Sequence, residues 1–248
     1  MGVEQGRHRF FIEGESVEVD GDIDLAPLAH QLRNVLRLSP GNTITLLDNS
    51  GAAFRTRIEV LDGQRAMGLV VARTPVESEP KVELTLFQCA LKRDSFEWVL
   101  QKGAELGVHR FVPVISSRTV VRPRGSLSKK HDRWRAILRE AAEQSGRGRL
   151  PVLAEPQSWG QAVTQGSGHR LMPWEDAGNS APGIGTRFAE AKAVSLLVGP
   201  EGGISDEEAG TAIEAGWQPV SMGPRLLRAE TAAIAAVTVI MHLSGDLG

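Results

Sequence analysis

Ser195-Leu196-Leu197-Val198-Gly199-Pro200-Glu201-Gly202-Gly203-Ile204-Ser205-Asp206-Glu207-Glu208 is the stretch whose reading decides the fold. An apolar run too short for an ordinary helix breaks into Gly-Pro-Glu-Gly-Gly, which is the pattern of a buried parallel strand ending in a turn. Ser205 and Glu208 then form an S-x-x-E capping box, so a helix begins at once. Glycines let the main chain lie directly against a ligand. In open α/β sheets ligands bind at the carboxyl ends of strands, where this loop falls. A P-loop carries Lys and then Ser or Thr after its last glycine. Asp206, Glu207 and Glu208 stand there instead and would repel a polyphosphate. The spacing also fails G-x-G-x-x-G. A small ligand with little net negative charge fits, and a plain strand-turn-helix corner with no ligand remains open on this stretch alone.

Around this loop the chain divides in two. Residues 1–73 are rich in short β runs, at 9–12, 44–48, 53–60 and 66–72, with a helical pattern over 28–38 that Pro40-Gly41 stops. This predicts a small β-barrel with one helix. Residues 74–81, Thr-Pro-Val-Glu-Ser-Glu-Pro-Lys, read as a linker. From 82 to 248 strands and helices alternate, which predicts a parallel sheet. The expected strands are 82–90, 110–115, 171–173, 194–198 and 219–222. The expected helices are 95–106, 128–145, 187–192, 206–215 and 230–243, with loop over 176–185.

With 248 residues, 41% of them hydrophobic, and a formal charge of −2, the composition is that of an ordinary globular protein. Cys89 stands alone, which excludes an internal disulfide or a cysteine zinc cluster and favours a reducing compartment, the cytoplasm by default. No apolar run approaches the roughly 20 residues of a membrane span, and no metal site is expected. Charge is nevertheless uneven. Residues 110–149 hold eleven Lys or Arg against three acids, an excess of +8. Such an excess suits a phosphate backbone, or else marks a solvated helix face.

The last predicted strand repeats the pattern. Met222-Gly223-Pro224-Arg225-Leu226-Leu227-Arg228-Ala229-Glu230 breaks at Gly-Pro before an alanine-rich helix. Arg225 and Arg228, at such a corner, either meet an anionic partner or pair with Glu230. The alanines either admit a close helix partner from a second subunit or simply favour helix.

Four stretches together resemble a known family, the RsmE-type ribosomal RNA uridine methyltransferases of the SPOUT class. They are Arg7-His8-Arg9-Phe10-Phe11, Gln101-Lys102-Gly103-Ala104-Glu105-Leu106-Gly107-Val108, Glu140-Ala141-Ala142-Glu143-Gln144-Ser145-Gly146-Arg147, and residues 198–205 paired with 222–233. The resemblance implies a PUA-like N-terminal barrel joined to an α/β trefoil-knot domain, a homodimer, S-adenosylmethionine bound in the knot, and methylation of N3 of a uridine in small-subunit (16S) ribosomal RNA. It implies that Val198, Gly199, Pro200, Glu201, Gly202 and Gly203, with Met222, Gly223, Pro224, Leu226 and Leu227, wrap the cofactor, and that Pro173, Trp174 and Glu175 complete the pocket. Pro173-Trp174 stands where the family often has His-Pro, and Ala229 where threonine is common. Arg7, Arg9, Arg118, Arg122, Arg124, Arg147 and Arg225 are the expected RNA contacts. Arg228 is the candidate to stabilise a uracil anion and Glu230 to accept its proton. Neither loop contains a histidine. A ribose 2′-O methyltransferase of the same class, or a ribosome-assembly RNA binder without catalysis, are the alternatives.

Overall fold

The computed structural model describes residues 8–13, 17–92, 94–120, 127–177, 181–187 and 191–248. By contacts the chain separates into two units, residues 1–79 with 142–150, and residues 80–141 with 151–248.

The first unit is a five-stranded sheet built from β1 (Arg9–Phe11), β2 (Asp22–Asp24), β3 (Thr43–Leu47), β4 (Ala52–Leu61) and β5 (Ala66–Pro75), in the order β1-β3-β4-β5-β2. β1 and β3 run parallel and the other pairs antiparallel. Among the described residues the small β-barrel expected from the sequence is not closed: no pairing joins β1 to β2, and both are only three residues long. The β4–β5 turn is held by Asp62, whose carboxylate accepts the Gln64 and Arg65 amides at 2.8 Å each.

The helix expected over 28–38 is instead a 3₁₀ turn at Ala26–Leu28 and a wide π-type turn at Gln31–Val35. The i→i+5 bond from the Leu36 amide to the Gln31 carbonyl (2.9 Å) widens the coil. That lets Leu28, Leu32, Leu36 and Leu38 all reach the same core as Phe10, Ile44 and Phe54. The boundary between the two units falls after Glu79, within the segment 74–81 expected as a linker. β5 continues through Pro75, and the Glu79 carboxylate accepts the amides of Gly148 (2.8 Å) and Arg149 (2.9 Å) and the Arg147 guanidinium (3.1 Å).

The second unit holds a seven-stranded, wholly parallel sheet. Its strands are β6 (Glu83–Cys89), β7 (Arg110–Ile115), β8 (Val152–Leu153), β9 (Gln157–Ser158), β10 (His169–Pro173), β11 (Ala193–Val198) and β12 (Gln218–Val220). The order is β12-β10-β11-β6-β7-β8, with β9 also on β7. The helices are α1 (Ser95–Glu105), α2 (His131–Ser145), α3 (Trp159–Gln165), α4 (Ile184–Arg187), α5 (Asp206–Glu214) and α6 (Ala229–Leu243).

Alternation along the strands sends side chains to two cores. Leu84, Leu86, Leu196 and Val198 pack with Phe96, Trp134 and Val237 on one face. Phe87, Cys89, Val114 and Leu197 pack with Trp159, Ala209 and Trp217 on the other. Because both faces are covered, the strands are apolar runs rather than alternating ones. The sequence reading missed β2, β8, β9 and α3, although Ser158 and Gln161 form an S-x-x-Q capping box that marks the last of these. Outside β12, the segment at 182–184 runs parallel to the strand's end: the Ser221 amide donates to the Pro182 carbonyl (3.0 Å) and the Ile184 amide to the Ser221 carbonyl (3.3 Å). The expected strand 219–222 therefore stops at Val220. Residues 188–190 of the helix expected over 187–192 lie outside the described residues; the helical turn α4 ends at Arg187, and residues 191–192 are not helical.

Candidate active site at the carboxyl ends of the parallel strands

Four strand ends meet over one cavity of about 780 Å³. This is the size of a site for a small organic ligand. Its walls come from the loops after β6, β10, β11 and β12. Val198, Gly199, Pro200, Glu201 and Gly203 line it after β11, Pro173, Trp174 and Glu175 after β10, and Met222, Gly223, Pro224, Leu226 and Leu227 after β12. Of the residues expected to hold a cofactor, Gly202 is the one that does not line the cavity. Lys92, Ser95, Ile204, Ser221, Ala229 and Ala232 line it without having been expected to.

Local structure shows why the β11 loop has its sequence. The Gly203 amide donates to the Pro200 carbonyl at 3.0 Å, closing a tight turn in which Gly203 sits at φ +72°. A Cβ there would lie 2.2 Å from Glu175 Oε1, and one at Gly199 would lie 2.7 Å from Ile204 Cγ1. Gly203 needs glycine for its left-handed backbone, and Gly199 because Ile204 fills the space a side chain would use. The predicted cap is formed, with the Glu208 amide donating to Ser205 Oγ at 3.3 Å. The Glu208 carboxylate in turn accepts the Ser117 amide (2.6 Å) and hydroxyl (2.8 Å). Glu201 Oε1 accepts the Lys92 amide at 2.7 Å.

The charge of the lining is balanced: Lys92, Arg225 and Arg228 face Glu175, Glu201 and Glu230. Arg225 and Arg228 are exposed at the mouth and make no ion pair or side-chain hydrogen bond among the described residues. Arg228 occupies the N-cap of α6 without capping it by its side chain. The alternative pairing with Glu230 is thus not adopted. Leu226 is 90% exposed.

An adenosyl sulfonium amino acid fits this setting better than a polyphosphate. The walls are main chain and apolar side chains, and the cations and carboxylates offset one another. Buried Trp174 Nε1, on the wall, and Gln88 Oε1, near Gly199, have no hydrogen-bond partner among the described residues. Cys89 lines no part of the cavity, and its burial pushes the thiol's pKa well up, so it is no nucleophile here. Among the described residues no group of His, Cys, Asp and Glu could hold a metal ion, and no helix is long and apolar enough to cross a membrane.

The expected RNA contacts are dispersed. Arg7, Arg122 and Arg124 lie outside the described residues. Arg9 donates to the Gly146 carbonyl at 2.7 Å. Arg147 is 2% exposed and paired with Glu79. Arg118 is exposed but donates to the Gly202 carbonyl at 3.0 Å, and Arg225 stands at the cavity mouth. Within the basic stretch Arg133 pairs with Glu97 at 2.6 Å, while Lys129, Lys130 and Arg135 project into solvent.

Residues 77–241 match the family model for an RNA methyltransferase domain. The chain is 34% identical to the ribosomal RNA small subunit methyltransferase E of Synechocystis, covering 86% of this chain and 70% of that protein. It is 32% identical to the protein of the same name from Mycobacterium bovis, over 92% and 86%. The fold matches the crystal structure of a ribosomal RNA small subunit methyltransferase E from Neisseria gonorrhoeae bound to S-adenosylmethionine, with a TM-score of 0.86 and 34% identity, covering 95% of this chain and 97% of that one. A Legionella pneumophila methyltransferase in complex with the same cofactor matches with a TM-score of 0.86 and 31% identity, over 94% and 96%.

Proposed function

The chain belongs to the ribosomal RNA small subunit methyltransferase E family, and from that premise we propose that it methylates N3 of one uridine in 16S ribosomal RNA, with S-adenosylmethionine as donor. The observation that carries this reading is the cavity at the four strand ends, lined by both Gly-Pro corners at once.

S-adenosylmethionine supplies an electrophilic methyl on a sulfonium. The chain's part is to hold that methyl and a ring nitrogen in line, which is worth roughly 7–11 kcal/mol. The N3 of uracil carries a proton and is a poor nucleophile until it is lost. Arg228, unpaired at the cavity mouth, stabilises the anion that forms, and Glu230, in the first turn of α6, accepts the proton. N3 lies on the pairing edge, so the target base must be unpaired or flipped outward. Arg225 and the solvent-facing Lys129, Lys130 and Arg135 supply cations for the phosphate backbone.

The reading extends to architecture. Residues 1–73 act as a PUA-like RNA-binding unit and 82–248 as the methyltransferase domain. The C-terminal segment threads as a trefoil knot, a reading supported by β11 lying between β6 and β10 and by α6 returning against α1 and β11. Two copies pair as a homodimer, with half-buried Ile234 and Ala235 of α6 available outside its core-facing side, and the enzyme works in the cytoplasm.

The test is incubation with small ribosomal subunits lacking the modification and methyl-labelled donor, followed by nucleoside analysis. Label in 3-methyluridine is expected. Label on a ribose 2′-oxygen, or none despite cofactor binding, overturns the reading.

A further inference from the structure

The turn at residues 199–203 is fastened from outside the cavity as well as facing into it. Gly199, Pro200, Glu201 and Gly203 line the cavity, and Gly202 does not. At Gly202 the Arg118 guanidinium arrives from the loop after β7 and donates from Nη1 to the carbonyl oxygen at 3.0 Å. Arg118 also lays its stem along the turn, for a Cβ built on Gly202 would lie 3.2 Å from Arg118 Cβ and 3.7 Å from its Cδ. One residue on, a Cβ at Gly203 would lie 3.6 Å from Arg118 Nη1 and 2.2 Å from Glu175 Oε1, so two opposite charges converge over that glycine.

We infer that Arg118 is a positioning residue for the cofactor loop, holding the back of the 199–203 turn so that its front keeps the shape that receives the donor. This rests on the reading that the cavity binds S-adenosylmethionine. A charge-assisted hydrogen bond to a main-chain carbonyl is directional and stronger than a neutral one. The turn has few other restraints: the Pro200–Gly203 bond within it, Glu201 to the Lys92 amide, and a long 3.5 Å contact from Gln88 Nε2 to the Gly199 carbonyl. Sequence position alone makes Arg118 an expected RNA contact, since it lies within the basic stretch 110–149 and just past a strand's carboxyl end. Its guanidinium is instead spent on the loop that carries the Gly-Pro-Glu-Gly-Gly turn.

The test compares Arg118→Ala and Arg118→Lys with the parent protein in three measurements. The first is amide exchange at Gly203 in the ligand-free protein, read by NMR. The second is the dissociation constant for S-adenosylmethionine, and the third is the salt dependence of affinity for a small-subunit RNA fragment. The alanine variant is expected to exchange at Gly203 at least tenfold faster and to bind the donor about tenfold more weakly. The lysine variant should recover part of both, and the salt slope should be unchanged. Unaltered exchange and donor affinity, with the salt slope reduced by about one, would make Arg118 a phosphate contact and overturn the inference. Should the parent protein bind no donor, the proposed function falls, and the exchange measurement alone still decides whether Arg118 holds the turn.

Discussion

Gly203→Ala probes the cofactor loop with two separable effects. The backbone sits at φ +72°, where a side chain costs about 1–2 kcal/mol. That penalty is present with or without ligand, so it should appear as a loss of folding stability of the same size in urea titrations. The new methyl would also lie 2.2 Å from Glu175 Oε1. Because Glu175 is exposed, its carboxylate can swing aside at little expense to the fold. Doing so takes it off the cavity wall; if Glu175 accepts a hydrogen bond from the bound donor, losing that bond should raise the dissociation constant for S-adenosylmethionine roughly tenfold or more.

The double variant Glu175→Ala/Gly203→Ala removes the collision and keeps the backbone penalty, so its stability should stay low. Gly210→Ala is the control, with nothing within 4 Å of its added methyl inside α5. It should stabilise by about 0.4–1 kcal/mol and leave binding unchanged. Gly203→Ala matching the parent in urea midpoint, with donor affinity within twofold, would refute the argument.

Arg228→Ala should lower turnover by on the order of 10²–10³, with donor affinity within about threefold; an unchanged turnover number would remove Arg228 from the chemistry. Trp217 is 2% exposed, meets Phe87 edge-on at 5.4 Å and donates to the Val163 carbonyl at 2.9 Å. Trp217→Ala should therefore cost about 3–5 kcal/mol, and a loss below 1 kcal/mol by chemical denaturation would contradict the packing described. Burial raises the Cys89 pKa from its ordinary value of 9.0. Above about pH 9 the unfolded chain releases this proton and the native state keeps it, so stability falls as pH rises. Cys89→Ala should abolish that alkaline decline, measurable as the pH dependence of the difference in unfolding free energy.

Much of the second unit was legible because strand, loop and cap are written within a few residues of each other. Ser195 to Glu208 shows all three, and the structure places the strand at Ala193–Val198 and the helix at Asp206–Glu214. Two-residue strands such as Val152–Leu153 offer no period to detect, and they form only because β7 presents an edge. Lys92 and Ser95 escaped notice because the end of β6 has no Gly-Pro corner to announce a ligand wall. Charge counting misjudged Arg147 for another reason. Its partner Glu79 is 68 residues away in sequence, and no local pattern foretells such a pair. The 28–38 segment shows the same limit, since its leucine spacing fits an α-helix yet the shared core is reached by a wider coil.

The way β12 ends bears on how copies of this protein can associate. The Val220 carbonyl accepts the Trp174 amide, so Pro219 faces the other way and offers no N–H to a newcomer strand. The next outward residue, Ser221, is already occupied by 182–184. At the opposite margin β8 and β9 present two residues apiece. Sheet extension into fibrils or strand-exchanged aggregates is thereby disfavoured at both rims of this sheet. Pairing of subunits would accordingly rest on side-chain contacts, where a single substitution can abolish it without touching the backbone ladder.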